Sequence, residues 1–176
     1  MMNIVSSLWS YIPGVAWMGG RGRNDKDFSL FKQEMIKGHN SFRVCHGSPE
    51  LSPSDELCKE SQEWANSLSE RGYLQYSETS GVGENIIFLD LNGKDPVGEE
   101  VSKQWYKECA KYDYSSPRWR KGAMNFTQMI WRSTSEIGVG ISKVKGQDRY
   151  VVVTQYRPAG NNNMPGEFRK NVLPPQ

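Results

Sequence analysis

Cysteine is scarce in this chain: its 176 residues hold three, Cys45, Cys58 and Cys109. An odd, small number does not make a disulfide framework, so the bridge-held miniature folds are excluded. The three thiols read as buried side chains packing as small hydrophobes, in preference to a redox centre. Histidine is scarcer still, with His39 and His46 alone. Neither has an acidic or thiol partner at ligand spacing, so both read as hydrogen-bonded packing residues. No run approaches the roughly 20 apolar residues that a membrane span needs, and the mean hydropathy of -0.70 agrees. A net charge of +2 without one long basic run gives no footprint for nucleic acid. Repeats and low-complexity tracts are absent as well.

What is present, 36% hydrophobic residues with six tryptophans, suffices for one folded domain plus a tail. Residues 125–131, Asn-Phe-Thr-Gln-Met-Ile-Trp, place Phe126, Met129 and Ile130 at helical spacing. Two strands follow. Ile137, Val139 and Ile141 alternate with Gly or Ser, and residues 150–156 are apolar and β-branched, as in a central strand. Residues 145–148, Lys-Gly-Gln-Asp, connect them at hairpin length. Upstream, Asp27 is suited to cap a first helix with Phe28, Phe31, Met35 and Phe42 along one face. Ser54 and Asp55 open a second, with Leu57, Trp64, Ala65 and Leu68 inward and Gly72 as its stop. A third helix spans 99–112, with Val101, Trp105, Cys109 and Tyr112 on its apolar face and Glu108 beside it. Residues 84–89 form a short apolar element. Four helices followed by two strands predict the α/β class, as an α-β-α sandwich with helices on both faces of the sheet.

Residues 1–26 precede this pattern and leave three readings open. Residues 4–18 are apolar and aromatic, but lack a basic leader and are interrupted by Pro13-Gly14, which makes a poor signal peptide. Trp9, Tyr11 and Trp17 ahead of Arg21, Arg23 and Lys26 fit an interfacial membrane anchor. A tail without fixed structure is the third reading. The chain begins Met-Met-Asn, without the Met-Gly that myristoylation requires.

Four elements in order resemble the CAP superfamily (cysteine-rich secretory, antigen 5 and pathogenesis-related proteins). Phe-Thr-Gln-Met-Ile-Trp at 126–131 resembles its first signature, and Tyr-Arg-Pro-Ala-Gly-Asn at 156–161 its second. Gly-Glu-Asn at 83–85 and Trp105-Tyr106 fall where the family carries the same residues. The likeness runs from about residue 27 to 175, which implies a domain over 27–176 and the family's α-β-α sandwich with a mostly antiparallel central sheet. The ending at 167–175 is similar to the Golgi-associated, intracellular branch. Secreted members are richer in cysteine, so the resemblance implies a reducing compartment at the cytoplasmic face of Golgi or other membranes, and a homodimer. The alternative is an extracellular, venom-allergen-like protein that binds a protein partner or host receptor.

The family's cleft carries two histidines and two glutamates that can hold zinc. Residue by residue, the resemblance places the glutamates at Glu84 and Glu108, but Tyr76 and Asn125 at the histidine positions. A phenol with a pKa near 10 and a neutral amide are poor zinc ligands. No imidazole remains to act as a general base. The four side chains are therefore expected to form a hydrogen-bonded cluster with no metal, no cofactor and no catalysis. A second constellation, Tyr112, Tyr114 and Trp119 with Arg118, Arg120 and Lys121, has the aromatic spacing of a loop that sterol-binding relatives use. Rings among cations suit a membrane interface contacting anionic lipid or sterol. Aromatics packed over a sheet edge would give the same spacing.

Overall fold

The computed structural model describes residues 27–176; the readings of residues 1–26 lie outside the described residues. Packing is organised around β4 (Arg149–Arg157), whose residues 150–156 are all buried. It pairs antiparallel with β3 (Glu136–Lys143) on one side and with β2 (Gly83–Asp90) on the other. A two-residue β1 (Ser52–Pro53) adds to the outer edge of β3 in parallel, giving the order β1-β3-β4-β2.

Because side chains alternate along a strand, β4 feeds two cores. Tyr150, Val152 and Tyr156 join Ile137, Val139 and Ile141 in the larger one, under α1 (Ser29–Cys45), α3 (Gly98–Tyr106) and α4 (Met124–Ile130). Val151 and Val153 meet Ala65 and Leu68 of α2 (Asp55–Arg71) on the opposite face. Each large apolar side chain buried this way contributes about 1.5–3 kcal/mol. The result is an α-β-α sandwich. A short α5 (Glu167–Asn171) closes one end by setting Phe168 edge-on against Trp131, centroids 5.0 Å apart.

The glycines of β3 have a packing role that their alternation alone did not declare. A Cβ on Gly138 would overlap the backbone of Leu57, and one on Gly140 the backbone of Ser61. Only bare backbone lets α2 lie this close to the sheet.

Helix ends follow local chemistry. Ser54 accepts from the Leu57 amide at 3.4 Å to open α2, and Gly72 closes it at φ 76°, its amide reaching the Leu68 carbonyl. Asp27 acts two residues ahead of α1, where its carboxylate accepts from the Ser29 amide at 2.9 Å; the cap position itself falls to Phe28. The expected third helix is shorter than 99–112. It tightens after Tyr106 into a 3₁₀ turn over Lys107–Lys111, which swings Glu108 towards the first amides of α4. Residues 84–89 belong to β2, so a strand interrupts the expected run of helices.

The thiols depart from the uniform burial expected of them: Cys58 is buried, Cys109 half-buried and Cys45 exposed near the end of α1. All three are free. Arg43, by contrast, is fully buried. Its guanidinium donates to the carbonyls of Pro49, Met129, Trp131 and Thr134 at 2.7 to 3.0 Å, tying α1 to the turn after α4.

Candidate functional site

The two glutamates stand on different elements and serve different frames. Glu84 opens β2; its carboxylate accepts from the Ser77 amide at 2.8 Å and from Gln155 Nε2 at 3.0 Å. Glu108, in the 3₁₀ turn, accepts from Asn125 Nδ2 at 2.7 Å, from the Asn125 amide at 2.9 Å and from the Phe126 amide at 3.2 Å. A carboxylate on the first amides of α4 offsets the unpaired donors of a helix start.

Of the four residues that the resemblance groups together, Tyr76, Glu84, Glu108 and Asn125, the structure joins Glu108 to Asn125 directly. Tyr76 does not enter the hydrogen bonding: its ring is 40% exposed, and its hydroxyl bonds to neither carboxylate. The physical reason is that both acids are already supplied with donors, mainly backbone amides and side-chain amides. Tyr76 nevertheless stands near them. Partial burial, then the charges of Glu84 and Glu108, push its phenol above the usual value.

Beneath this surface lies a buried polar network that sequence reasoning missed as a unit. His39 Nδ1 faces the Met35 carbonyl at 2.8 Å, so that nitrogen carries the proton, and Nε2 takes the Tyr156 hydroxyl at 2.8 Å. Asn85 Nδ2 donates to the same hydroxyl at 3.1 Å and to the carbonyl of Asn125 at 3.0 Å. Burial pushes the His39 pKa down to about 4, so the ring is neutral. Glu84 and Asn85 are adjacent and alternate in direction: one serves the rim, the other the core. His46 is also buried, between the Leu173 carbonyl at 2.7 Å and the Tyr106 hydroxyl at 3.0 Å. Both histidines are thus packing residues.

The two long motifs interlock by the same means. Thr127 Oγ1 donates to Asn161 Oδ1 at 2.6 Å, and Asn161 Nδ2 to the Met124 carbonyl at 3.0 Å. Gln128 Oε1 accepts from the Gly160 amide at 2.9 Å, and a Cβ on Gly83 would strike that same oxygen.

The aromatic loop divides. Tyr112 is buried against Phe126 and Tyr114, centroids 6.0 and 5.1 Å away, and burial pushes its phenol up to about 12. Tyr114 is half-buried and stacks on His46. Those two rings anchor the loop from below. Arg120 reaches Asp113 at 3.3 Å, while Trp119 is 45% exposed between exposed Arg118 and the half-buried Arg120, with exposed Lys121 next. One ring of the three faces outward.

The sandwich and the interlocked motifs define a CAP domain: residues 36–156 match the cysteine-rich secretory protein (CAP) family, and the chain belongs to it. It is 35% identical over 149 residues to the human Golgi-associated plant pathogenesis-related protein 1, covering 83% of this chain and 94% of that protein. It is 34% identical over 145 residues to protein PRY2 of Saccharomyces cerevisiae, covering 82% of this chain and 41% of that longer one. Among solved structures, venom allergen-like protein 4 of Schistosoma mansoni superposes with a TM-score of 0.64 at 20% identity, over 84% of this chain and 97% of that one. At that identity the superposition speaks for the fold.

Proposed function

We propose that this CAP domain is a non-enzymatic binding module that works at membrane surfaces, contacting anionic lipid or sterol through the tip of the 112–121 loop. The observation that carries the reading is the division of that loop. Tyr112 and Tyr114 are held in the core, which fixes the backbone, and Trp119 stands out between Arg118 and Lys121. An indole sits well at the headgroup level, and adjacent cations favour phosphate. Three free thiols and the likeness to a Golgi-associated relative support placement in a reducing compartment, on the cytoplasmic face of a membrane. A homodimer belongs to the same reading, and sedimentation of the full chain tests it.

The cleft, on this reading, does not use metal. Its donor set of two carboxylates, a phenol and an amide lacks imidazole, and both carboxylates already accept hydrogen bonds. Both histidines are engaged elsewhere. Among the described residues, no group of three or more His, Cys, Asp or Glu is arranged to hold an ion. Titration calorimetry with zinc tests this: the unaltered chain gives no tight binding, and Tyr76→His with Asn125→His gains it. Tight zinc binding by the unaltered chain overturns the reading.

The membrane assignment is tested by vesicle flotation of the full chain, varying anionic lipid, sterol and salt. Flotation that falls with salt and with Trp119→Ala supports it. Absence of flotation on every composition overturns it and leaves a module for a protein partner.

A further inference from the structure

The base of the 112–121 loop holds two buried polar atoms with no hydrogen-bond partner among the described residues, the Tyr112 hydroxyl and Arg120 Nε. Tyr112 is 7% exposed, and the Arg120 charge acts on its phenol, so the two side chains are neighbours. Arg120 donates to Asp113 through Nη2 at 3.3 Å, which leaves Nε over. A buried donor without an acceptor is costly and marks a place for water or an ion. Lys111 adds a third donor. The Ala123 amide closes a turn on the Arg120 carbonyl at 3.1 Å, and a Cβ on Gly122 within it would lie 3.4 Å from Lys111 Nζ. The ammonium therefore lies across the turn that carries Arg120.

We propose that Tyr112, Arg120 and Lys111 form a binding site for a phosphate monoester, each donor serving one of its terminal oxygens. The local charge agrees. Residues 111–121 carry four cations, Lys111, Arg118, Arg120 and Lys121, against one acid, Asp113. Among the described residues, no carboxylate pairs with Lys111, Arg118 or Lys121. Asp113 is itself held by Arg120 and by the Ser115 amide and hydroxyl. Glu108, three residues before Lys111, is supplied by the Asn125 side chain and the first amides of α4. The excess of positive charge is left for a ligand.

Chemistry selects among anions. A phosphate monoester carries about 1.5–2 negative charges at neutral pH and three strong acceptor oxygens, which suits three donors in a cationic loop. A diester offers fewer terminal oxygens and less charge, and a sterol hydroxyl offers no charge. Burial pushes the Tyr112 phenol up to about 12, so it stays protonated and meets the anion as a donor. Lys111 is exposed and Arg120 half-buried, so an anion reaches the donors from solvent. The phosphate comes from a lipid headgroup or from a soluble ester, and only the first source rests on the membrane reading.

Titration calorimetry of the full chain with inorganic phosphate and with glycerol 3-phosphate, without vesicles, tests the proposal. Both are expected to bind. The variants Tyr112→Phe and Lys111→Gln should each weaken binding by about tenfold, the effect of one hydrogen bond to a charged group. Tyr112→Phe removes a hydroxyl without a partner in the fold, so its thermal melt in phosphate-free buffer should match the parent's. Absence of binding by either anion overturns the proposal, and so does an affinity that both variants leave unchanged. Flotation then separates the sources, on vesicles of matched surface charge holding phosphatidic acid, a monoester, or phosphatidylglycerol, a diester. A preference for the monoester that Tyr112→Phe abolishes assigns the headgroup; soluble binding without that preference assigns a free ester. Because the calorimetry uses no lipid, soluble binding without flotation sinks the membrane reading and leaves the site standing, and the reverse sinks the site alone.

Discussion

Replacing Arg43 with methionine tests how the site is anchored to the helical layer. The side chain is fully buried and serves four carbonyls, and none of its hydrogen-bond partners is a carboxylate. Burial lowers its pKa to about 10, so it is still charged at neutral pH. Methionine fills much of the volume and removes every donor. The Trp131 carbonyl keeps the Thr134 amide as a second partner, which leaves three carbonyls short. At about 1–3 kcal/mol for each buried group left unpaired, the loss is about 3–9 kcal/mol. Relief of a buried charge returns several kcal/mol of that. The net expectation is a loss of about 4 kcal/mol, a large part of the 5–15 kcal/mol that a domain has. Urea unfolding followed by tryptophan fluorescence and far-UV circular dichroism measures it. Arg43→Lys keeps the charge with fewer donors, and an intermediate loss is expected. Should Arg43→Met unfold within 1 kcal/mol of the parent, desolvation and hydrogen bonding cancel, and the guanidinium does not secure the turn.

Three further outcomes follow from the same contacts. His39 titrates near 4 when folded and near 6.5 when unfolded, so the unfolded chain binds the extra proton between those values. Stability should therefore fall by about 3 kcal/mol as pH drops from 6.5 to 4 and level off below, with His46 adding in the same direction; urea midpoints across that range check it. Gly140→Ala pushes a methyl group into the Ser61 backbone and should lose about 2–3 kcal/mol by thermal melting, against under 1 kcal/mol for Gly146→Asn in the open hairpin turn. Tyr156→Phe leaves His39 Nε2 without its donor and should lose about 1–3 kcal/mol; because the imidazole becomes easier to protonate when folded, the further loss on acidification should be smaller and level off at a higher pH.

Local patterns carried much of the architecture. The Ser54 cap and the Gly72 stop bound α2, and the alternation from Ile137 to Ile141 fixed which face of β3 enters the core. Two residues of β1 are too few to show a period, and β2 lacked a partner until β4 supplied one. The 3₁₀ turn after Tyr106 answers to Glu108 meeting α4, a contact between segments that no local propensity reports. The same holds at the site. Glu108 and Asn125 were expected together and lie together, but Asn85, His39 and Tyr156 meet only through the sheet and α1. Tyr112 and Trp119 share one motif, and only tertiary packing sends the first inward and the second out.

Position 125 is gripped by its main chain: Asn85 holds the carbonyl and Glu108 the amide. Neither hold depends on which side chain is mounted there. The scaffold thus works as a socket with an exchangeable fitting: replacing the asparagine removes its Nδ2 contact to Glu108 but leaves both main-chain holds in place. Chemistry at the rim can change through the side chains at Tyr76 and Asn125, while the polar core of His39, Asn85 and Tyr156 keeps its own contacts.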